Sequence, residues 1–253
     1  QRQMCIRDRV KESIRQQVTE IAGGSLRVDA GQDAIFEGTQ AQVSGDLVVN
    51  ADRNIVVDSV AERDYSFFEE TKVKKGFMSK TTTHTVEEDY ATHEKGTVLS
   101  GDNVLLNAGN DLTVRGSTVV GDGQVTLKAD NNIDIFAATE EQSLYRLNEK
   151  KTSGVFSGGG IGVTIGSKSS RHQLNEDGTT QSQSVSTIGS TGGSVDIEAR
   201  GKVHISGADV IADKNLSVTG DSVHIDPGKD IRRRDEAFEQ KQSCLLYTSP
   251  SPR

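Results

Sequence analysis

The chain has 253 residues with 29 basic and 37 acidic side chains, a net charge of −8, and only 33% hydrophobic and 4% aromatic residues. The acidic balance, without a basic face and with scattered aromatics, argues against nucleic acid or an anionic membrane as the main partner. No run is long and apolar enough to read as a membrane-spanning helix, and two cysteines do not make a disulfide framework.

The N-terminal QRQMCIRDR (Gln1–Arg9) and the C-terminal CLLYTSPSPR (Cys244–Arg253) match neither each other nor anything between them. Both read as translated halves of a transposase-type library adapter and are expected to be foreign to the fold. The protein proper is then Val10–Ser243, with 25 basic against 36 acidic residues, net −11, and no cysteine. Absence of thiols suits a long chain that crosses membranes unfolded. The piece is expected to come from inside a longer reading frame, with its targeting information upstream.

From Gly24 a template begins, GSLRVDAGQDAIFEG, which recurs as DNVLLNAGNDLTVRG from Asp102 and GSVDIEARGKVHISG from Gly193. The first two copies stay in register over 24–76 and 102–154; the third needs one deletion near Gly220. Each copy divides again, because Leu26 and Ala30 recur 21 positions later as Leu47 and Ala51, and Val104 and Ala108 as Val125 and Ala129. A unit of about 20 residues, rich in Gly, Asn and Asp, with short alternating apolar runs, predicts one coil of an all-β fold, a parallel right-handed β-helix or β-solenoid. Residues 10–62 form the first block of coils. There Leu26, Val28 and Ala30, then Ala34 and Phe36, then Ala41 and Val43 predict three short strands with one side inward. Gly38, Gly116 and Gly207 share one repeat position, a sharp corner that wants positive φ. Eight to ten coils, about 4.8 Å apart, would make a rod on the order of 40 to 50 Å long.

Residues 63–96 carry EETKVKK and TTTHT and read as a polar insertion, partly helical near 67–75. Coils resume over 97–138. Residues 139–191 form a Gly/Ser-rich, hairpin-like flap, in which Ile161, Val163 and Ile165 alternate with small residues and pair either with the VFS strand around Phe156 or with Val185–Ile188. Phe156, Ile161, Val163 and Ile165 are the candidate interaction residues, since Gly-rich strands have weakly fixed register. The last block of coils is expected over 192–243.

No cofactor and no metal site are expected. The cluster Gly158, Gly159, Gly160, Gly162 and Gly166 has no GxGxxG register and no following GK[ST]. HEK at His93 lacks the second histidine of a zinc hydrolase. His204 and His224 fall on equivalent outward positions and should stack about 4.8 Å apart as solvated surface histidines, a transition-metal pair being the minor alternative. Asp33 and Asp111 suggest a calcium ladder, but Lys202 takes their place in the third copy, so corner residues that bond their own turns are the better account. No carboxylate or Arg/Lys cluster stands out as an active-site groove, and the segment is read as non-enzymatic.

GSTVVGDGQVTLKADNNIDIFAAT, SGVFSGGGIGVTIGS, GTTQSQSVSTIGSTGGSVDI and DSVHIDPGKDIRRRDEAFEQKQS together resemble the hemagglutinin repeats of filamentous-hemagglutinin-type exoproteins. The order of coil pair, Gly-rich flap, second coil pair and FEQKQS ending resembles the second repeat class of contact-dependent growth inhibition proteins. The resemblance covers nearly all of 10–243. It implies a monomeric β-helical filament, exported through an outer-membrane two-partner secretion transporter and displayed at the surface of a Gram-negative cell. It also implies a target-cell receptor or outer membrane as partner, and a role in presenting or delivering a C-terminal toxin. It carries over no catalytic residue. The alternative it leaves is the stalk of an adhesin.

Overall fold

The computed structural model describes residues 2–157 and 162–248, and among the described residues every regular element is a strand. The chain opens with β1 (Arg2–Ile14) and then runs through six sets of three short strands. The first set is β2 (Thr19–Gly23), β3 (Leu26–Ala30) and β4 (Ala34–Glu37); the second is β5 (Thr39–Val43), β6 (Leu47–Ala51) and β7 (Ile55–Asp58). Two long strands, β8 (Val60–Gly76) and β9 (Ser79–Lys95), intervene. The third and fourth sets are β10 (Val98–Gly101), β11 (Val104–Ala108), β12 (Leu112–Arg115), and β13 (Thr118–Gly121), β14 (Val125–Ala129), β15 (Ile133–Phe136). A second long pair follows, β16 (Glu140–Ser157) and β17 (Gly162–Thr180). The last sets are β18 (Ser186–Ser190), β19 (Val195–Ala199), β20 (Lys202–Ser206), and β21 (Ala208–Ala212), β22 (Leu216–Thr219), β23 (Ser222–Asp226). β24 (Ile231–Thr248) closes the chain.

Corresponding strands of successive sets pair in parallel and in register. They make three six-stranded faces, β2-β5-β10-β13-β18-β21, β3-β6-β11-β14-β19-β22 and β4-β7-β12-β15-β20-β23. The chain visits each face once per set, so the sets are six stacked rungs, a topology consistent with a β-solenoid. Alternation within each strand turns one set of side chains inward. On the second face Val28, Val49, Leu106, Leu127, Ile197 and Val218 form one inward column, and Ala30, Ala51, Ala108, Ala129 and Ala199 another. The third face adds Phe36, Val57, Val114, Ile135 and Ile205, and the first adds Ala41, Leu99, Val119 and Ile188. These residues belong to one continuous apolar cluster. Burying each Leu, Ile or Val stabilises by about 1.5–3 kcal/mol, which lets a chain so poor in hydrophobic residues hold a core one side chain wide.

The corners are tied by polar ladders. Between the second and third faces, Asp33 Oδ1 accepts from the Asn54 amide (3.1 Å), Asn54 Oδ1 from Asp111 (3.2 Å), Asp111 Oδ1 from Asn132 (3.1 Å) and Asn132 Oδ1 from Lys202 (2.9 Å). Each side chain therefore bonds the backbone of the next rung, not its own turn as the sequence had suggested. Lys202 ends the ladder, contributing only its amide. At the corner between the third and first faces the ladder is buried: the amides of Thr39, Thr97 and Ser117 donate to the hydroxyls of Thr97, Ser117 and Ser186 on the following rung.

Three further expectations are corrected. Residues 67–75 are not helical: they lie within β8, paired to β1 on one side and β9 on the other, so both rows of backbone groups are satisfied by strands. The parallel rungs stop at Asp226, and from Ile231 the chain leaves them for an antiparallel sheet, so the last block of coils is shorter than 192–243. Among the described residues there are six rungs, not eight to ten, because the long strands take up so much of the chain.

Candidate functional site

The long strands all spring from one corner, where the third face passes into the first. At that corner the chain alternates between two solutions. Between the first and second, third and fourth, and fifth and sixth rungs it turns tightly on Gly38, Gly116 and Gly207, with φ of 52°, 53° and 56°. A Cβ on Gly116 would lie 2.5 Å from the Ala138 Cβ, and on Gly38 2.7 Å from Val60 Cγ2, so glycine is required both by backbone conformation and by space. Between the second and third rungs the same corner sends out the β8–β9 hairpin, and between the fourth and fifth it sends out β16–β17.

These hairpins join into a fourth sheet, β1-β8-β9-β16-β17-β24, antiparallel throughout. The physical reason is a match of pitch. Two rungs advance by about 9.6 Å, two strand spacings, and one hairpin contributes two strands, which also occupy about 9.6 Å. Each repeat thus sets down its hairpin beside the previous one in hydrogen-bonding distance. The outcome is a fin along the rod.

The fin is anchored at its foot. Glu140, 7% exposed, accepts from the Glu94 amide at 3.0 Å and from the Ser184 hydroxyl at 2.7 Å, and the buried Ser59 donates to Glu94 Oε2 at 2.5 Å. Asp230 accepts from the amides of Gln181 (2.7 Å) and Ser182 (3.2 Å) and from the Thr180 hydroxyl (2.9 Å), and these donors hold its carboxyl down at about 2. Farther out, each strand junction carries a polar pair: Arg7–Glu70 between β1 and β8, then Glu69 with His84 (2.8 Å), Asp89–Arg146 (2.8 Å), Glu149–Arg171 (3.2 Å) and His172 with Glu236 (2.7 Å). Exposed pairs contribute little singly, about 0–1 kcal/mol, but Arg7 opposite Glu70 and Glu149 opposite Arg171, with the other partners on cross-strand diagonals, disfavour a slipped register.

Side chains along β8 and β9 are mostly half-buried, as in a single layer covered by its neighbours' long side chains. One side presents Tyr65 beside Tyr90, with Phe67, Val86, Tyr145 and Leu147; the other presents Phe68, Leu144, Leu174 and Phe238. In the proposed flap, β17 pairs with β16 through Val155 to Ile165, Phe156 to Thr164 and Ser157 to Val163. It does not pair with the segment around Ile188, which belongs to the first face. Ile165 is 60% exposed. Ile161 lies outside the described residues. The ends read as foreign, in so far as they are described, extend β1 and β24 by backbone pairing, and at the N-terminal end Arg7 also pairs with Glu70 while Arg7 and Arg9 lie over the Phe68 ring.

One cluster of metal-ligating side chains lies away from the fin. His204 and His224 face each other across β20 and β23, with ring centroids 5.2 Å apart. Asp226 joins them, its Oδ1 2.6 Å from His204 Nε2 and 3.5 Å from His224 Nε2. Sequence reading found the histidines by their spacing and missed Asp226, which sits two positions beyond His224 on the same outward side.

A family model described as the hemagglutinin repeat matches residues 75–242. The chain belongs to the hemagglutinin repeat family. This hemagglutinin-repeat chain is 60% identical over 208 residues, 82% of its length, to a protein of Yersinia mollaretii named tRNA nuclease CdiA. It is 54% identical over 237 residues, 93% of its length, to 16S rRNA endonuclease CdiA of Enterobacter cloacae, and 51% over 239 residues, 94%, to deoxyribonuclease CdiA of Dickeya dadantii. In each case it spans only 7% of the relative's length. No solved structure matches it.

Proposed function

We propose that this chain is a non-catalytic filament segment of a large exoprotein of the contact-dependent growth inhibition type, in which parallel coils supply reach and the fin engages the target cell. The observation that carries the reading is the contrast among the relatives. Proteins named for cleaving tRNA, 16S rRNA and DNA share this segment at 51–60% identity. A segment that stays alike while the named chemistry changes is carrying something other than that chemistry. The fold is in keeping with this, since its outward columns are repeat-equivalent positions on flat faces and its buried polar groups bond mainly within the corner ladder, at the foot of the fin and in the Glu70 ion pairs.

In the finer reading, the rungs are about 20-residue coils of a right-handed parallel β-helix, and the Gly/Ser-rich insertion read over 139–191 is an interaction flap. The whole exoprotein leaves a Gram-negative cell through an outer-membrane two-partner secretion transporter, acts at the cell surface, and meets a receptor or the outer membrane of the target. Residues 1–9 and 244–253 are adapter-derived, and the toxin lies elsewhere in the intact protein. The test is a graft. Residues 10–243 replace the matching segment of the Yersinia mollaretii and the Dickeya dadantii proteins, and killing of target cells in contact is measured. Both chimaeras are expected to inhibit, each with its own toxin's signature; loss of inhibition in both, with the chimaeras displayed at the surface, would contradict the proposal.

A further inference from the structure

We infer that His204, His224 and Asp226 form a binding site for a divalent transition-metal ion of the Zn2+ class, which clasps the fifth rung to the sixth. The ligand set is two imidazoles and one carboxylate, all offered on the outward side of the third face, and their ligand atoms lie within 4.8 Å of one another. Two nitrogen donors and one oxygen suit Zn2+ and its neighbours and not Ca2+ or Mg2+, which take oxygen ligands. With bonds of about 2.0–2.1 Å, ligand atoms around a tetrahedral ion stand roughly 3.3 Å apart. His224 Nε2 is already 3.5 Å from Asp226 Oδ1, and His204 Nε2, at 2.6 Å, needs only a small ring rotation. The ion would take the place of the proton that His204 Nε2 now donates to Asp226, and water would complete its shell.

The surroundings are those of a held ligand set. Asp134, directly across from His204 on β15, places Oδ1 3.6 Å from His204 Nδ1, where it would orient the ring once Nε2 is ligated. Ser206 donates to the second oxygen of Asp226 at 3.1 Å and fixes the carboxylate plane. His204 is 27% exposed and Asp226 37%, so both are partly sheltered, whereas His224, at 64%, is free to swing onto an ion. Packing does not demand imidazoles there. The column that holds them carries Ile35, Val56, Thr113 and Asp134 on the preceding rungs, so the position accepts apolar and acidic residues alike.

Isothermal titration of the 253-residue chain with ZnCl2 tests the site, with H204Q/H224Q, D226N and H172Q as variants and unchanged far-UV circular dichroism as the folding control. Expected is a site present in the parent and in H172Q, lost in H204Q/H224Q, and weakened at least about 10-fold in D226N. At a Zn2+ concentration about 100 times the dissociation constant, the folded-to-unfolded ratio of the parent should rise about 100-fold, and that of H204Q/H224Q should not. Zinc bound elsewhere, for instance at Cys5, would survive the double substitution. An isotherm unchanged in H204Q/H224Q, or no binding by the parent up to about 1 mM Zn2+, would overturn the inference. D226N decides the matter by itself should the double variant fail to fold: full parental affinity there would remove the carboxylate from the site.

Discussion

Gly116 shows how much one residue can carry in this molecule. It turns the third rung into the fourth with φ of 53°, and a methyl group there would run into Ala138. Gly116→Ala should lower stability by at least about 1 kcal/mol from the left-handed backbone alone, while Gly31→Ala, where an added Cβ meets nothing within 4 Å, should change it by no more than about 0.5 kcal/mol. Urea midpoints separate the two. Asp33 makes the matching electrostatic prediction. Hydrogen bonds from Arg53 first, and then the Asn54 amide, hold its carboxyl at about 2, below the ordinary 3.8. A carboxyl lowered in the folded state stabilises above its unfolded value and loses that contribution as pH falls through the folded one. Between about pH 6 and about pH 3 the urea midpoint of D33N should therefore fall less than that of the parent; equal falls would mean that Asp33 contributes nothing to acid sensitivity. The inward alternation around Leu26, Val104 and Val195 was legible in the sequence because period two is local. The ladder in which Asp33 takes part was not, since its partner at Asn54 is defined by which rung stacks on which.

For the hairpins the difference between local and distant information is sharper. Charged and aromatic residues over 67–75 looked partly helical, yet they form strand because β9 and β1 flank them with open edges. The partner strand β16 of β9 lies about fifty residues downstream, and no window of sequence contains that pairing. The repeat did signal that segments were inserted between coils, but the return point was misplaced: Ser186–Ser190 is already a strand of the first face, and Ile188 is fully buried in it. A deletion that spares this strand follows from the corner geometry. Arg115 pairs with Phe136, and the Ser117 amide donates to the Ser186 hydroxyl, so a single glycine in place of 137–185 would copy the Gly116 corner. That variant should keep a β-type circular dichroism spectrum and one cooperative unfolding transition. Loss of cooperativity would show that the rungs depend on the fin for their stacking.

Across the whole molecule, the proposed function is divided between the rungs and the fin. Six rungs with one thin core give a stiff element that lengthens by stacking, and pitch matching lets every pair of rungs add two strands to the fin. The hemagglutinin-repeat relatives retain the segment whatever nuclease they are named for, so its contribution must be common to all of them. The decisive measurement uses the grafted exoprotein with 137–185 replaced by one glycine, which interrupts the fin and spares the rungs. Surface display and contact-dependent inhibition are then scored side by side. Undiminished display with inhibition lost at least about 10-fold is the predicted result, since reach would remain while engagement would be broken; inhibition equal to that of the intact graft would contradict the role assigned to the fin.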